Sequence, residues 1–266
     1  YSVFMSHIIE TAAQSNSKSA GQDKFQSHDY YWVDELLSPE HLLIRESVRA
    51  WVKKEVSPII EDYAQRAQFP RHLVRQLGEI GAFGPTIPTE YGGQGLDYIS
   101  YGIIMQELER GDSGIRSTAS VQSSLVMYPI YTYGSEEQRM KYLPKLGSGE
   151  WLGSFGLTEP NYGSNPSGMI TRIEDKGDYY LLNGAKMWIS NAPFCDLAVV
   201  WAKDDAGDIR GVIVERGMEG FTTPETHGKW SLRASATGEL VFDNVRLPKE
   251  NLLPKAKGLK APLSCL

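Results

Sequence analysis

Two short runs in the second half of the chain carry residue types suited to holding a flat, redox-active heterocycle. The first is Lys186-Met187-Trp188-Ile189-Ser190, inside KMWISN. In a strand the side chains alternate, so Met187 and Ile189 face one way while Trp188 and Ser190 face the other, setting an aromatic plate beside a hydroxyl. The second is Phe155-Gly156-Leu157-Thr158, followed by Glu159 and Pro160, where the proline stops further ladder pairing. An isoalloxazine ring wants an apolar wall for its plane and hydrogen-bond donors at N5 and at the N1/O2 edge, where negative charge gathers on reduction. Trp188 with Ser190, and Leu157 with Thr158, offer that combination. Either motif alone reads as well as a barrel aromatic or a turn hydroxyl.

Arg116 is a third candidate. It lies in ELERGDSGIRSTASVQSSLVM, where Asp112 or Ser113 is a natural N-cap, so Arg116 and Ser117 fall in a first helical turn. A guanidinium there, aided by the positive end of the helix dipole, suits a planar carboxylate. Taken by itself, such an arginine is also the ordinary partner of a surface ion pair. Gly92-Gly93-Gln94-Gly95 follows no expected strand and lacks GxGxxG spacing, so it reads as a turn between helices. Cys195, Cys265 and the five histidines form neither HExxH nor CxxC, and no metal site is expected.

The elements that must position these residues divide the chain in two. From about Ser38 to Leu146 the pattern is helical. Ser38-Pro39 is an N-cap and first-turn pair, after which Ile44, Val48, Trp51, Val52 and Val56 form one stripe, ending near Pro58. Further helices are expected from His72 to Ile80, closed by Gly81, and from Asp97 to Arg110. Another opens at the capping box Ser135-Glu136-Glu137-Gln138 and is brought to an end by Pro144 and Gly147. After Trp151 the runs Tyr179–Leu182, Lys186–Ser190, Leu197–Ala202, Ile209–Glu215 and Glu239–Phe242 are short and rich in Val, Ile and aromatics. They predict a small antiparallel barrel or sandwich.

Composition sets the outer limits. The chain has 266 residues, 41% hydrophobic and 23% charged, which describes a soluble chain able to bury a real core. A net charge of −6 with no basic block argues against nucleic acid, and no apolar stretch is long enough for a membrane span. Two cysteines make a disulfide framework improbable and a reducing compartment the simpler reading. Residues 1–34 read as a flexible leader, with Met5 as a possible native start. The first 30 residues contain Glu10, Asp23 and Asp29 but no Arg, unlike a mitochondrial presequence. A bacterial cytoplasmic protein is therefore expected, with the mitochondrial matrix as the alternative.

FGLTEPNYGSNPSG and AKMWISN, with EYGGQG, YGSEEQRMKYLP and KWSLRASATG, resemble the acyl-CoA dehydrogenases, and among them the glutaryl-CoA dehydrogenases, from about Leu36 to the end of the chain. The resemblance implies an all-α helical domain over residues 35–150 and an antiparallel β-barrel middle domain over 151–254. Residues 255–266 would be a truncated start of the family's C-terminal helical domain, which is otherwise expected to be absent. It implies FAD held by Phe155, Gly156, Leu157, Thr158, Trp188, Ile189 and Ser190. It also implies an acyl-CoA substrate, glutaryl-CoA in kind, met by Arg116, Ser117, Ser164 and Glu109.

The reaction so implied is α,β-dehydrogenation of the thioester, with decarboxylation to crotonyl-CoA in the glutaryl members, electron-transferring flavoprotein as acceptor, and a homo-oligomer at full length. The family's proton-abstracting Glu would lie beyond Leu266, so no catalytic residue is assigned and the chain is expected to be an incomplete fragment. Ser190 stands where Thr is usual, and Asn165 where the family carries Asp. Arg233 receives no chemical role and defaults to a structural one. Two other readings stay open, a short-chain acyl-CoA oxidase of the same fold and a non-catalytic acyl-CoA-binding or interaction module; a neutral acyl chain would leave a buried Arg116 unpaired, which counts against the oxidase.

Overall fold

A computed structural model describes residues 29–266; most of the leader, with Met5, lies outside them. The described part of that segment includes a short 3-10 turn, Val33–Leu36, and Asp34 takes a 2.5 Å ion pair from Arg45.

Helix α1, Pro39–Trp51, begins at Ser38, whose hydroxyl accepts the His41 N–H while His41 answers with its ring nitrogen on the Ser38 amide. The expected stripe Ile44, Val48, Trp51, Val52 and Val56 is buried throughout, its last turn widened to a π-helical Val52–Val56. Then come α2, Ile60–Arg66, and α3, Leu73–Glu79, the latter stopped before a left-handed Gly81. Helix α4, Tyr98–Gly111, is capped by the Asp97 carboxylate. Helix α5, Ser113–Ser120, is capped by Asp112 and runs on as π-helical Val121–Met127 into α6, Tyr128–Tyr133.

Helix α7, Glu136–Gly147, opens on the predicted capping box of Ser135 and Gln138. Pro144 does not end it: the helix passes through to Gly147, because a proline removes only its own N–H and the last turn needs few further bonds.

The strands are β1 (Gly153–Gly156), β2 (Arg172–Asp175), β3 (Tyr179–Ser190), β4 (Leu197–Lys203), β5 (Ile209–Glu215), β6 (Phe221–Thr222) and β7 (Thr237–Pro248). A short α8, Lys260–Leu263, follows. The expected helical domain followed by a curled β domain is what the chain forms, but the ladder is mixed rather than purely antiparallel. β1 pairs in parallel with β4 over Gly153↔Leu197 to Gly156↔Val200, and β2 meets β4 in parallel at Arg172↔Lys203. A parallel pair needs a long crossover, and the excursion through β2 and β3 supplies it.

Strand β4 explains why both halves share one interior. Leu197, Val199 and Trp201 pack with the helices, while Ala198, Val200 and Ala202 pack against Leu240 and Phe242 inside the sheet. A strand covered on both faces reads as a continuous apolar run, as LAVVWA does. Among the described residues no helix is long and apolar enough to cross a membrane.

Candidate functional site

The two motifs meet through the backbone. β1 delivers Phe155, which is buried edge-on against Trp201 at 6.1 Å, and then Gly156, where a Cβ would stand 3.0 Å from Leu240 Cδ1 and 3.1 Å from Lys186 Cγ. Leu157 is buried and Thr158 half-buried at the strand's exit. The Met187 N–H donates to the Thr158 carbonyl at 3.0 Å, so FGLT lies directly against KMWIS.

Simple alternation fails within KMWIS. Between the pairs Lys186↔Leu240 and Ile189↔Gly238, β3 places two residues against one on β7, a bulge. Trp188 occupies it with φ 63°, a left-handed conformation unusual for an aromatic, and the residue is 62% exposed. Lys186 and Ile189 therefore both point inward, although they are three residues apart. A second register shift between Leu182 and Gly184 puts the extra residue on β7, where Asn244 has φ 53°. Asn183 stitches it, accepting the Asn244 N–H at 2.8 Å. The two shifts offset each other, and the ends of the pair keep one register.

What this wall presents is the exposed Trp188 indole, with the half-buried Thr158 and Ser190 hydroxyls. Neither hydroxyl nor the indole N–H has a hydrogen-bond partner among the described residues. An apolar plate with unspent donors fits a flavin ring and its polar edge. Phe155 and Ile189 lie behind it as core.

The wall is braced from inside by a pair that no local pattern announced. Lys186 Nζ is fully buried; it donates to the Leu157 carbonyl at 3.1 Å and to Glu159 Oε1 at 2.8 Å. Glu159 also accepts the Ile170 and Thr171 amides at 2.8 and 3.0 Å. Burial pulls the Lys186 ammonium down to about 8, which leaves it charged at neutral pH beside the carboxylate. Burial pushes the Glu159 carboxyl up, but the Ile170 amide, Lys186 and Thr171 outweigh it and hold it below its usual range. Glu159 is thus fully committed and is no candidate for a general base. Strand alternation alone sets Lys186 on the face of Trp188 and Ser190, so its inward position follows only from the bulge.

Arg116 does sit in the first turn of α5, after the Asp112 cap. It is 36% exposed, and its Nε donates to Glu109 Oε2 at 2.5 Å, with a longer 3.4 Å contact from a terminal nitrogen to the Ser120 hydroxyl. Glu109, grouped with Arg116 in the sequence reading, is thus its direct ion-pair partner, and Arg116 is only partly buried. Hydrogen bonds from Ser113 and Arg116 hold the Glu109 carboxyl below its usual range. Ser117, the next residue in the chain, is half-buried, while Ser164 is exposed on the loop after Pro160, and no hydrogen bond joins it to Arg116. The structure brings Arg116 and Glu109 together, and sets Phe155 to Thr158 against the strand that carries Met187 to Ser190.

Arg233 has the structural task expected by default, in a specific form. Its Nε donates to the Ala64 carbonyl at 2.9 Å and a terminal nitrogen to that of Gln65 at 3.0 Å, both at the C-terminal end of α2, and it also binds the Lys229 carbonyl at 3.0 Å. A cation on the last carbonyls of a helix is favourable, and here it ties the KWSLRASATG loop to the helical half. The loop's tip, Trp230, is 98% exposed.

Comparison with known proteins gives a consistent picture. Residues 38–150 match the model of the acyl-CoA dehydrogenase N-terminal domain and residues 154–245 that of the acyl-CoA dehydrogenase middle domain. A glutaryl-CoA dehydrogenase of Desulfococcus multivorans is 42% identical over 84% of this chain and 59% of its own length. A mitochondrial isovaleryl-CoA dehydrogenase of Pongo abelii is 36% identical over 88% of this chain and 58% of its own. Among solved structures, a glutaryl-CoA dehydrogenase of Mycobacterium smegmatis in complex with FADH2 superposes with a TM-score of 0.86 at 48% identity, covering 88% of this chain and 60% of the other. The chain spans about three fifths of the length of each.

Proposed function

Because the chain belongs to the acyl-CoA dehydrogenase family, carrying its N-terminal and middle domains, we propose that it forms the flavin-binding and acyl-binding walls of an FAD-dependent α,β-dehydrogenase whose CoA thioester bears a distal carboxylate, as glutaryl-CoA does. The observation that supports this best is the junction of the two motifs, where the Met187 amide meets the Thr158 carbonyl and the bulge turns Trp188 outward. FAD, when bound, supplies a two-electron acceptor, with an electron-transferring flavoprotein as the onward partner and a homo-oligomer as the working form.

The chain's own residues prepare that chemistry. Trp188 covers the ring plane, and the Thr158 and Ser190 hydroxyls donate to its polar edge. Lys186 fixes the Leu157 carbonyl and so holds the Leu157-Thr158 peptide in place. Arg116 recognises the far carboxylate of the acyl chain, with Glu109 as the resident anion it exchanges for that ligand and Ser117 beside it. Ser164 contributes to the CoA chain from its exposed loop. A neutral acyl group would leave the Arg116–Glu109 pair as it is, so selectivity on this reading comes from the carboxylate that can replace Glu109.

The test is a flavin titration of the 266-residue chain, followed by addition of glutaryl-CoA or butyryl-CoA with the flavin spectrum as readout. The chain should take up FAD, glutaryl-CoA should perturb its spectrum at lower concentration than butyryl-CoA, and Arg116→Ala should erase the preference. A colourless chain that cannot be reconstituted refutes the flavin assignment; equal response to the two thioesters refutes the substrate assignment.

A further inference from the structure

A closed polar circuit lies buried where α5 crosses the β domain. Thr118, two residues after Arg116, is 1% exposed, and its hydroxyl donates to Asn191 Oδ1 at 3.1 Å. Asn191 follows Ser190 at the end of β3, with φ 67° and 1% exposure. Its amide nitrogen donates to the Gly153 carbonyl at 3.1 Å, and its backbone N–H to the Ala236 carbonyl at 3.0 Å. The Gly153 N–H in turn donates to Gln122 Oε1 at 2.8 Å, and Gln122 Nε2 donates to the Leu146 and Trp151 carbonyls at 2.9 Å each. Thr118 and Gln122 are four residues apart on one helical rod, so the circuit leaves that rod, passes through the last residue of KMWISN and the first residue of β1, the strand that leads into FGLT, and returns to it.

The backbones are in close approach at the same point. A Cβ on Gly153 would stand 2.4 Å from Val126 Cγ1, so β1 rests directly on the π-helical segment. The polar side chains of the circuit, Thr118, Gln122 and Asn191, are satisfied and buried, and a fully satisfied buried network fixes one arrangement of the elements it joins. One end of the rod carries Arg116 and Ser117; the strands it grips lead to Thr158 on one side and back to Ser190 on the other.

We infer that the Thr118–Asn191–Gly153–Gln122 circuit positions the carboxylate-selecting turn of α5 relative to the flavin wall, with Asn191 as the positioning residue that both halves share. The inference rests on the reading of Arg116 and of the two motifs given above. It assigns a task to the last residue of KMWISN: the carboxamide must accept from a hydroxyl and donate to a carbonyl at once, in a left-handed conformation that asparagine tolerates better than most residues.

Amide hydrogen exchange on the 266-residue chain tests this without requiring flavin. Thr118→Val is nearly isosteric and removes only the hydroxyl; it should speed exchange about five- to tenfold across the interface, at Gly153–Thr158 and Met187–Ser190, with Thr118→Ser close to the wild type. Asn191→Gly keeps the backbone angle and should loosen both those segments and the turn from Gly114 to Gln122. Effects confined to α5, a uniform rise over the whole chain, or equal behaviour of Thr118→Val and Thr118→Ser would overturn the inference. Flavin titration of the same samples keeps the two readings apart. A wild-type chain that takes up no FAD overturns the functional reading while the exchange pattern still decides the circuit. A wild-type chain that binds FAD and prefers glutaryl-CoA, with both retained unchanged in Asn191→Gly, overturns the circuit alone.

Discussion

Replacing Lys186 by methionine should destabilise the chain by about 3 kcal/mol. The substitution is close in volume, so it opens no large cavity; what it removes is the ammonium that faces Glu159 Oε1 at 2.8 Å and the Leu157 carbonyl at 3.1 Å. The carboxylate left behind is 2% exposed and drops from three donors to the Ile170 and Thr171 amides. Breaking a buried ion pair from one side costs roughly 3–5 kcal/mol, and two surviving amide donors place this case at the lower end. For a chain of this size that is a fall of about 6–12 °C in Tm.

The assay is urea and thermal unfolding of wild type, Lys186→Met, Glu159→Gln and the double variant, followed by circular dichroism. Lys186→Met should also weaken FAD uptake, since the Leu157-Thr158 peptide loses its internal anchor. Because a buried pair carries a large desolvation cost of its own, the double variant should be more stable than the sum of the single losses, with a coupling of about 1–3 kcal/mol. A Lys186→Met chain within about 0.5 kcal/mol of wild type, or single effects that simply add, refutes the reasoning.

Glu159 has a folded-state pKa below its unfolded value, so it contributes stability that is present above about pH 4.5 and lost as pH falls through the folded value. Glu159→Gln should lack that part of the acid limb when urea midpoints are compared between about pH 6 and pH 3. Thr158→Ala and Ser190→Ala should each weaken FAD binding by about five- to tenfold in fluorescence titrations, with little change in unfolding midpoint, because neither hydroxyl has a hydrogen-bond partner among the described residues. Arg233→Ala should leave the two cores intact yet speed proteolysis at the loop from Lys229 to Leu232, whose tie to α2 runs through that guanidinium.

Much of the scaffold could be read from local signals. Ser38-Pro39, Asp97, Asp112 and the Ser135 capping box each start a helix where they were expected to, because a cap acts within one turn of itself. LAVVWA and the run from Ile209 to Glu215 were legible as strands for the same reason. What escaped is set by distant partners. The parallel pairing of β1 with β4 joins residues some forty apart. Lys186 finds Glu159 across 27 positions, and Arg233 finds Ala64 across 169. Alternation within KMWIS failed because a bulge depends on the register of both strands, and only one of them is in view when that motif is read. Arg116 was placed on its helix and grouped with Glu109, but the direct ion pair between them and the partial exposure of Arg116 required the fold.

Between Lys186 and Ile189, β3 holds one residue more than β7 can pair. Without Trp188, Met187 would fall opposite Glu239 and Ile189 opposite Gly238, and Lys186 and Ile189 would be two apart, still on the same inward face. The strand is therefore complete without its tryptophan. The indole is an insertion carried by a finished ladder, so that folding and recognition are separable at this single residue: deleting it should leave a more regular β3–β7 ladder, with the core behind it undisturbed and the plate gone.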